Sequence, residues 1–238
     1  MTRVLAVSGS LRKGEGATSR ILAPFLEGMK DEGASVELVY VKDCKIEPCR
    51  GEFHCWYTKP GECIIKDGMQ ELYPKLRASD IFVIATPVYI PLPGEMQNFI
   101  NRLCPLIEPM LSFREGRTRG RIHGGYKLRK IALVSSGDWW EKENCSTVLR
   151  ICEELAKDMS VEFAGALLRP HASMMKEHEE KAREIVAAAK KAGAQLVKEG
   201  RISPDLLEAV SHPLMAEEVL RERYNRSYLR AKNKQTKL

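Results

Sequence analysis

Ser8-Gly-Ser-Leu-Arg-Lys-Gly-Glu-Gly-Ala-Thr-Ser19 follows the apolar run Val4-Leu-Ala-Val7 and precedes Arg20–Lys30. The apolar run reads as a buried strand. Behind the turn, Ile21, Leu22, Phe25, Leu26 and Met29 recur at the spacing of a helix with one apolar face. A strand that ends in a glycine- and hydroxyl-rich turn and enters a helix is suited to an anion. The helix start offers unpaired N–H groups and the positive end of its dipole, and glycines let the backbone approach. Ser8, Ser10, Thr18 and Ser19 add hydroxyl donors, and Arg12 adds a forked cationic one. A P-loop needs Lys and then Ser or Thr after Gly14, where this chain has Glu15 and Gly16. The pair Gly14 and Gly16 lies beyond the strand end and lacks the third glycine of a dinucleotide fingerprint. The competing reading is a plain strand–helix connection with Thr18 or Ser19 as N-cap.

Working outward, 238 residues with 44% apolar content accommodate one α/β domain, assigned to residues 1–200, and a helical basic arm, residues 201–238. No apolar run reaches the length of a membrane span and no signal segment precedes the first strand, so a cytoplasmic protein is expected. Seven cysteines, four of them between Cys44 and Cys63, point to metal or redox chemistry rather than a disulfide scaffold. The net charge of +6 resides in the last 18 residues, where Arg221, Arg223, Arg226, Arg230, Lys232, Lys234 and Lys237 face Glu222 alone. The body is balanced, which argues against a nucleic-acid-binding surface there.

Further elements follow in order. Ser35–Val41 alternates as a second strand, and Lys42–Lys66 is a long loop rich in Cys, Pro and Gly. Asp67–Ala78 reads as a helix, Asp80–Ala85 as a continuous apolar strand, and Glu95–Leu103 as a helix behind the proline-punctuated loop Thr86–Gly94. Pro105–Lys127 reads as a second long loop. Arg129–Ser135 and Val161–Leu168 are strands, Cys145–Met159 and Met174–Lys198 helices. Five βα units give a flavodoxin-like, doubly wound parallel sheet of order 2-1-3-4-5 with a C-terminal helical extension.

In that topology the ligand crevice lies beyond the ends of strands 1 and 3. It gathers the first turn, Thr86–Gly94 and Ser136–Asn144, whose content suits a flavin mononucleotide (FMN). Ser8, Ser10, Arg12, Thr18 and Ser19 are the candidates for its phosphate. Pro87, Val88 and Tyr89 would shape one side of the isoalloxazine, with Ser136, Gly137 and Asp138 at its ribityl or pyrimidine edge and Trp139 as an aromatic wall.

Four motifs in order resemble the NAD(P)H-dependent FMN reductase family, including its iron–sulfur flavoprotein branch. They are Gly9-Ser-Leu-Arg12 with Thr18-Ser19; Cys49-Arg-Gly-Glu-Phe-His-Cys-Trp56 with Pro60-Gly-Glu-Cys63; Thr86-Pro-Val-Tyr89 through Phe99-Ile-Asn-Arg102; and Ser135-Ser-Gly-Asp-Trp-Trp-Glu-Lys-Glu-Asn144. The resemblance covers roughly the first 165 residues. It implies FMN as cofactor, NAD(P)H as co-substrate, a quinone, nitro compound, flavin or metal centre as acceptor, and a homodimer or homotetramer. Hydride passes directly between nicotinamide and flavin in such a family, so no catalytic acid or base is assigned.

The branch's cysteine pattern is Cys-x2-Cys-x2-Cys with a fourth Cys further on. Here Cys49, Cys55 and Cys63 take the first, third and fourth places, and Glu52 takes the second. A carboxylate is a harder ligand than the thiolate a [4Fe–4S] cluster prefers, so an intact cluster is disfavoured and the metal stays unassigned. Cys104, Cys145 and Cys152 read as buried helix residues. The rival functions are an electron carrier without a nicotinamide site, and a flavin-bound sensor or nucleic-acid-binding protein using the basic arm. For that arm a solvated helix is the simpler account.

Overall fold

The computed structural model describes residues 1–235, with side chains to residue 233; Lys237 and the side chain of Lys234 lie outside them. Five parallel strands form the central sheet: β1 (Arg3–Ser8), β2 (Ser35–Tyr40), β3 (Ile81–Pro87), β6 (Lys130–Ser136) and β7 (Glu162–Arg169). Their spatial order is β2-β1-β3-β6-β7, the 2-1-3-4-5 arrangement expected once the extra pair β4 (Ile107–Arg114) and β5 (Arg117–Ile122) is set aside.

Side chains alternate across the sheet and create two cores. Val4, Ala6, Val83, Ala85 and Val134 face α1 (Ser19–Asp31) and α6 (Glu179–Glu199). Leu5, Val7, Phe82, Ile84, Ile131 and Leu133 face α3 (Met69–Ala78), α4 (Gly94–Asn101) and α5 (Ser146–Met159). The five apolar positions read from the first helix are all buried. Along α1 and α6 two glycines remove side chains where the backbones meet. A Cβ on Gly28 would stand 1.9 Å from the Lys190 carbonyl oxygen, and one on Gly193 1.9 Å from that of Phe25.

The segment expected as a second long loop is instead a hairpin of β4 (Ile107–Arg114) and β5 (Arg117–Ile122). Its two central turn residues, Glu115 and Gly116, both have positive φ, as a type I′ turn requires. The basic stretch is spent locally: Arg119, 4% exposed, binds Glu154 and Asp158 of α5 at 3.2 Å each, and Arg121 binds Glu108 at 2.9 Å. Met110, Leu111 and Phe113 on β4 are exposed. Within Lys42–Lys66 the chain forms one short helix, α2 (His54–Tyr57). The helix expected from Met174 begins instead at Glu179, because Ala172–Lys176 turns separately after His171 in left-handed conformation.

Beyond α6, helix α7 (Pro204–Ser211) packs on α6 and β7, and α8 (Glu217–Gln235) follows. Val210, Leu214 and Leu220 are buried in the same core as α1 and α6. Arg169, with no measurable exposure, fastens this segment: Nη1 donates to the carbonyls of Val210 (2.7 Å) and His212 (2.9 Å), and Nε to that of Pro170 (2.8 Å). Among the described residues no helix is long and apolar enough to cross a membrane.

Candidate functional site

At the carboxyl edge of β1, β3 and β6 lies a cavity of 380 Å³. Its floor is the turn after β1. That turn is shaped by its own hydroxyls: the Ser10 amide donates to Ser8 Oγ (3.3 Å), and Ser10 Oγ (3.3 Å) and Ser19 Oγ (2.6 Å) both donate to the Lys13 carbonyl. Gly16 is needed for this packing, since a Cβ there would sit 2.2 Å from Ser10 Oγ. Thr18 caps α1 in helical conformation without a side-chain cap bond. Its Oγ1 instead lies 2.8 Å from Ser136 Oγ at the end of β6. Among the described residues no group accepts a hydrogen bond from the amides of Leu11, Arg12, Ala17 or Thr18, and all four residues line the cavity.

The walls come from the loops after β3 and β6. The Val88 amide donates to the Ser136 carbonyl (2.8 Å) and the Tyr89 amide to that of Pro91 (2.8 Å). Gly137 is held between β7 and the turn beyond it: its amide donates to the Arg169 carbonyl (3.0 Å), and its carbonyl accepts from Ala172 (2.9 Å). Asp138 Oδ1 accepts from the Ser173 amide (3.1 Å). Tyr89 and Trp139 are exposed, 54% and 62%, and present broad apolar surface to solvent at the mouth.

Of the residues singled out in sequence, Ser10, Arg12, Thr18, Pro87, Val88, Tyr89, Ser136, Gly137, Asp138 and Trp139 line this one cavity. Ser8 and Ser19 do not: both lie behind the turn, with side chains engaged in the bonds above. Sequence reasoning missed Tyr224. It arrives from α8, packs against Trp139 with ring centroids 5.9 Å apart, and places its hydroxyl 3.3 Å from Ser173 Oγ. Nothing local in the sequence announces this contact, because it depends on where α7 turns the chain. Asn144 also lines the cavity; it lies in a motif already singled out.

A second cavity, 310 Å³, is bounded by Cys49, Cys55, Cys63 and Cys104 with Glu52, Phe53 and Arg102. Cys104 was expected to be an ordinary buried helix residue; it is half-buried in a short turn after α4 and reaches this cavity. The two thiols neighbour each other: Cys104 draws Cys55 below the ordinary thiol range, while Cys55 together with burial pushes Cys104 above it. Arg102, 1% exposed, grips Asp67 with Nη1–Oδ2 2.7 Å and Nη2–Oδ1 3.1 Å. Burial opposes ionisation of Asp67, but the Arg102 bonds together with the Glu47 and Met69 amides outweigh it and keep the carboxyl low.

The profile of the NADPH-dependent FMN reductase family matches residues 2–120, half of the chain. An iron–sulfur flavoprotein of Methanosarcina thermophila is 33% identical over 88 residues, covering 37% of this chain and 44% of that one. An iron–sulfur flavoprotein of Archaeoglobus fulgidus is 32% identical over 138 residues, 57% of this chain and 59% of its own length. The matches thus span about half the length of these curated relatives. Among solved structures, the NAD(P)H:quinone oxidoreductase of Methanothermobacter marburgensis superposes with a TM-score of 0.57 at 15% identity, covering 82% of this chain and 98% of that one. That likeness carries the flavodoxin-like architecture. With the family profile running from β1 into β5, the chain belongs to the NADPH-dependent FMN reductase family.

Proposed function

We propose that the first cavity binds FMN, and that the protein is an FMN-dependent oxidoreductase taking electrons from NAD(P)H and passing them to a quinone, nitro, flavin or metal acceptor. One observation carries this reading: unpartnered amides of Leu11, Arg12, Ala17 and Thr18 gather at the start of α1 beneath a cleft walled by Pro87–Tyr89 and Ser136–Trp139. Amides with the Ser10 and Thr18 hydroxyls and the Arg12 guanidinium suit a phosphomonoester dianion. The stiff backbone of Pro87 and Val88 and the rings of Tyr89 and Trp139 suit a flat tricyclic ring. Ser8 and Ser19 serve here by shaping the turn, and Asp138 by fixing the loop after β6. When bound, FMN supplies the electron chemistry, while the protein orients it and screens it from water. Tyr224 closes the mouth from the side of α8.

The domain of residues 1–200 forms the body of the site, and, among the described residues, the arm of residues 201–238 contributes this one side chain to it. A cytoplasmic location and self-association, with the exposed Met110, Leu111 and Phe113 as its contact surface, complete the reading. The deciding experiment is FMN titration followed by rapid mixing with NADPH under anaerobic conditions. Stoichiometric binding and bleaching of the yellow colour are expected. Binding without bleaching favours the electron carrier, a reading that the cysteine-lined cavity also supports; no binding ends both.

A further inference from the structure

From Arg221 to Asn233 every residue of α8 is exposed except Tyr224, which is half-buried. Its ring and that of Trp139 border two spaces at once. One is the 380 Å³ cavity; the other, 210 Å³, lies between α8 and the loop after β6, with Trp140 and Leu220 in its wall. We propose that Tyr224 selects and positions the reaction partner of the flavin: with Trp139 it forms an aromatic contact that holds a planar quinone ring at the mouth of the first cavity. This rests on that cavity being the FMN site, and it gives the C-terminal arm a part in choosing the substrate.

Hydrogen bonds from a single turn place both rings. After β7 the His171 amide donates to the Trp139 carbonyl (2.9 Å), the Ser173 amide to Asp138 Oδ1 (3.1 Å), and Ser173 Oγ meets the Tyr224 hydroxyl at 3.3 Å. From the loop after β6, Trp140 Nε1 donates to the Met215 carbonyl (2.9 Å), and Leu220, one turn before Tyr224, is buried. Loop and arm are thus fixed to each other around the ring pair, while Trp139 itself stays open to solvent.

The ring geometry leaves a place for a third ring. The two stand 5.9 Å apart at 58°, a tilted pair, which leaves uncovered the ring face that parallel stacking would hide. A quinone is flat, electron-poor and apolar on both faces, so it gains from contact with an electron-rich phenol or indole. The charges nearby favour an uncharged ring. Arg221, at the wall of the outer space, is already bound to Glu217 (2.8 and 3.2 Å), and Glu141 adds a carboxylate. That setting repels the phosphates of a nicotinamide dinucleotide and leaves a neutral quinone unopposed.

The test titrates the oxidised, FMN-loaded full chain with menadione in the absence of NADPH, followed by tryptophan fluorescence. Saturable quenching is expected. Affinity should be about tenfold weaker in Tyr224→Ala and Tyr224→Leu, and within about twofold of the unsubstituted protein in Tyr224→Phe, which keeps the ring. Tyr224→Leu also keeps bulk beside Trp139, so the test survives if Tyr224→Ala fails to fold. A second readout compares two acceptors. NADPH and a proton reduce menadione to its hydroquinone, whereas NADPH alone reduces two equivalents of ferricyanide, a compact anion that needs no ring contact, and releases a proton. The ratio of the two kcat/KM values should fall about tenfold in the Ala and Leu variants, carried by KM. FMN content and thermal midpoint are recorded on the same samples. Unchanged menadione affinity in Tyr224→Leu, an equal loss in Tyr224→Phe, or a fall confined to kcat would overturn the proposal. A protein that takes up no FMN ends the functional reading as well, whereas FMN uptake with unchanged menadione affinity ends this one alone.

Discussion

Thr18 Oγ1 and Ser136 Oγ lie 2.8 Å apart across 118 residues of sequence, a buried bond that ties the start of α1 to the end of β6. It makes the turn after β1 and the loop after β6 one unit rather than two neighbours.

Thr18→Val should therefore destabilise the fold by about 1–3 kcal/mol, because it leaves a buried hydroxyl without its partner. Thr18→Val with Ser136→Ala should cost less than the sum of the single changes, since the orphaned group is then gone. Urea unfolding of the three variants checks this; strict additivity would mean that the two hydroxyls do not interact.

Gly16→Ala tests the turn without touching a donor. The added methyl meets Ser10 Oγ, a short side chain that can rotate, so the fold should survive while the Ser10 bond to the Lys13 carbonyl is lost. FMN affinity should fall about tenfold, roughly 1.4 kcal/mol, with the melting temperature nearly unchanged. Unaltered affinity in a fluorescence titration would remove Ser10 from the phosphate grip.

Arg169→Met should release the segment after α6. Burial disfavours this guanidinium, yet three carbonyls depend on it, and losing them should cost about 3 kcal/mol or more. Hydrogen exchange should rise first in residues 204–214; uniform exchange across the chain would show that the clamp is not local.

His171 sets a pH dependence. Burial and the neighbouring Arg169 lower its pKa to about 4, from an ordinary value of 6.5, and its Nε2 accepts from the Leu214 amide at 3.0 Å. The unfolded chain binds this proton more readily, so the contribution is whole above about pH 6.5 and is lost as pH falls towards 4. The loss should be up to about 3 kcal/mol, and His171→Gln should flatten the stability–pH curve over that window in chemical denaturation.

The sheet was legible because each strand carries its own signal: Val4–Val7 and Ile81–Ala85 are apolar on both faces, as central parallel strands must be. Ten of the site's lining residues could be named because strand order dictates which loops meet. The hairpin was missed because β4 is largely exposed and β5 carries Arg at positions 117, 119 and 121, so neither an apolar stripe nor a buried run marks them; the Glu115-Gly116 turn was the available clue. Tyr224 and the place of Cys104 escaped for another reason. Both line cavities built by segments remote in sequence, and a lone aromatic or a lone thiol at a helix end has no local signature.

The close approach of α1 and α6 at Gly28 and Gly193 also governs the order of assembly. Helix α1 grows directly from the turn that forms the floor of the cavity, but the backbone it leans on is made 165 residues later. A chain emerging from the ribosome holds all of β1 and α1 long before α6 exists to brace them. The cofactor turn thus gains its full support only near the end of synthesis, which sets loading of the pocket late in the life of the nascent chain.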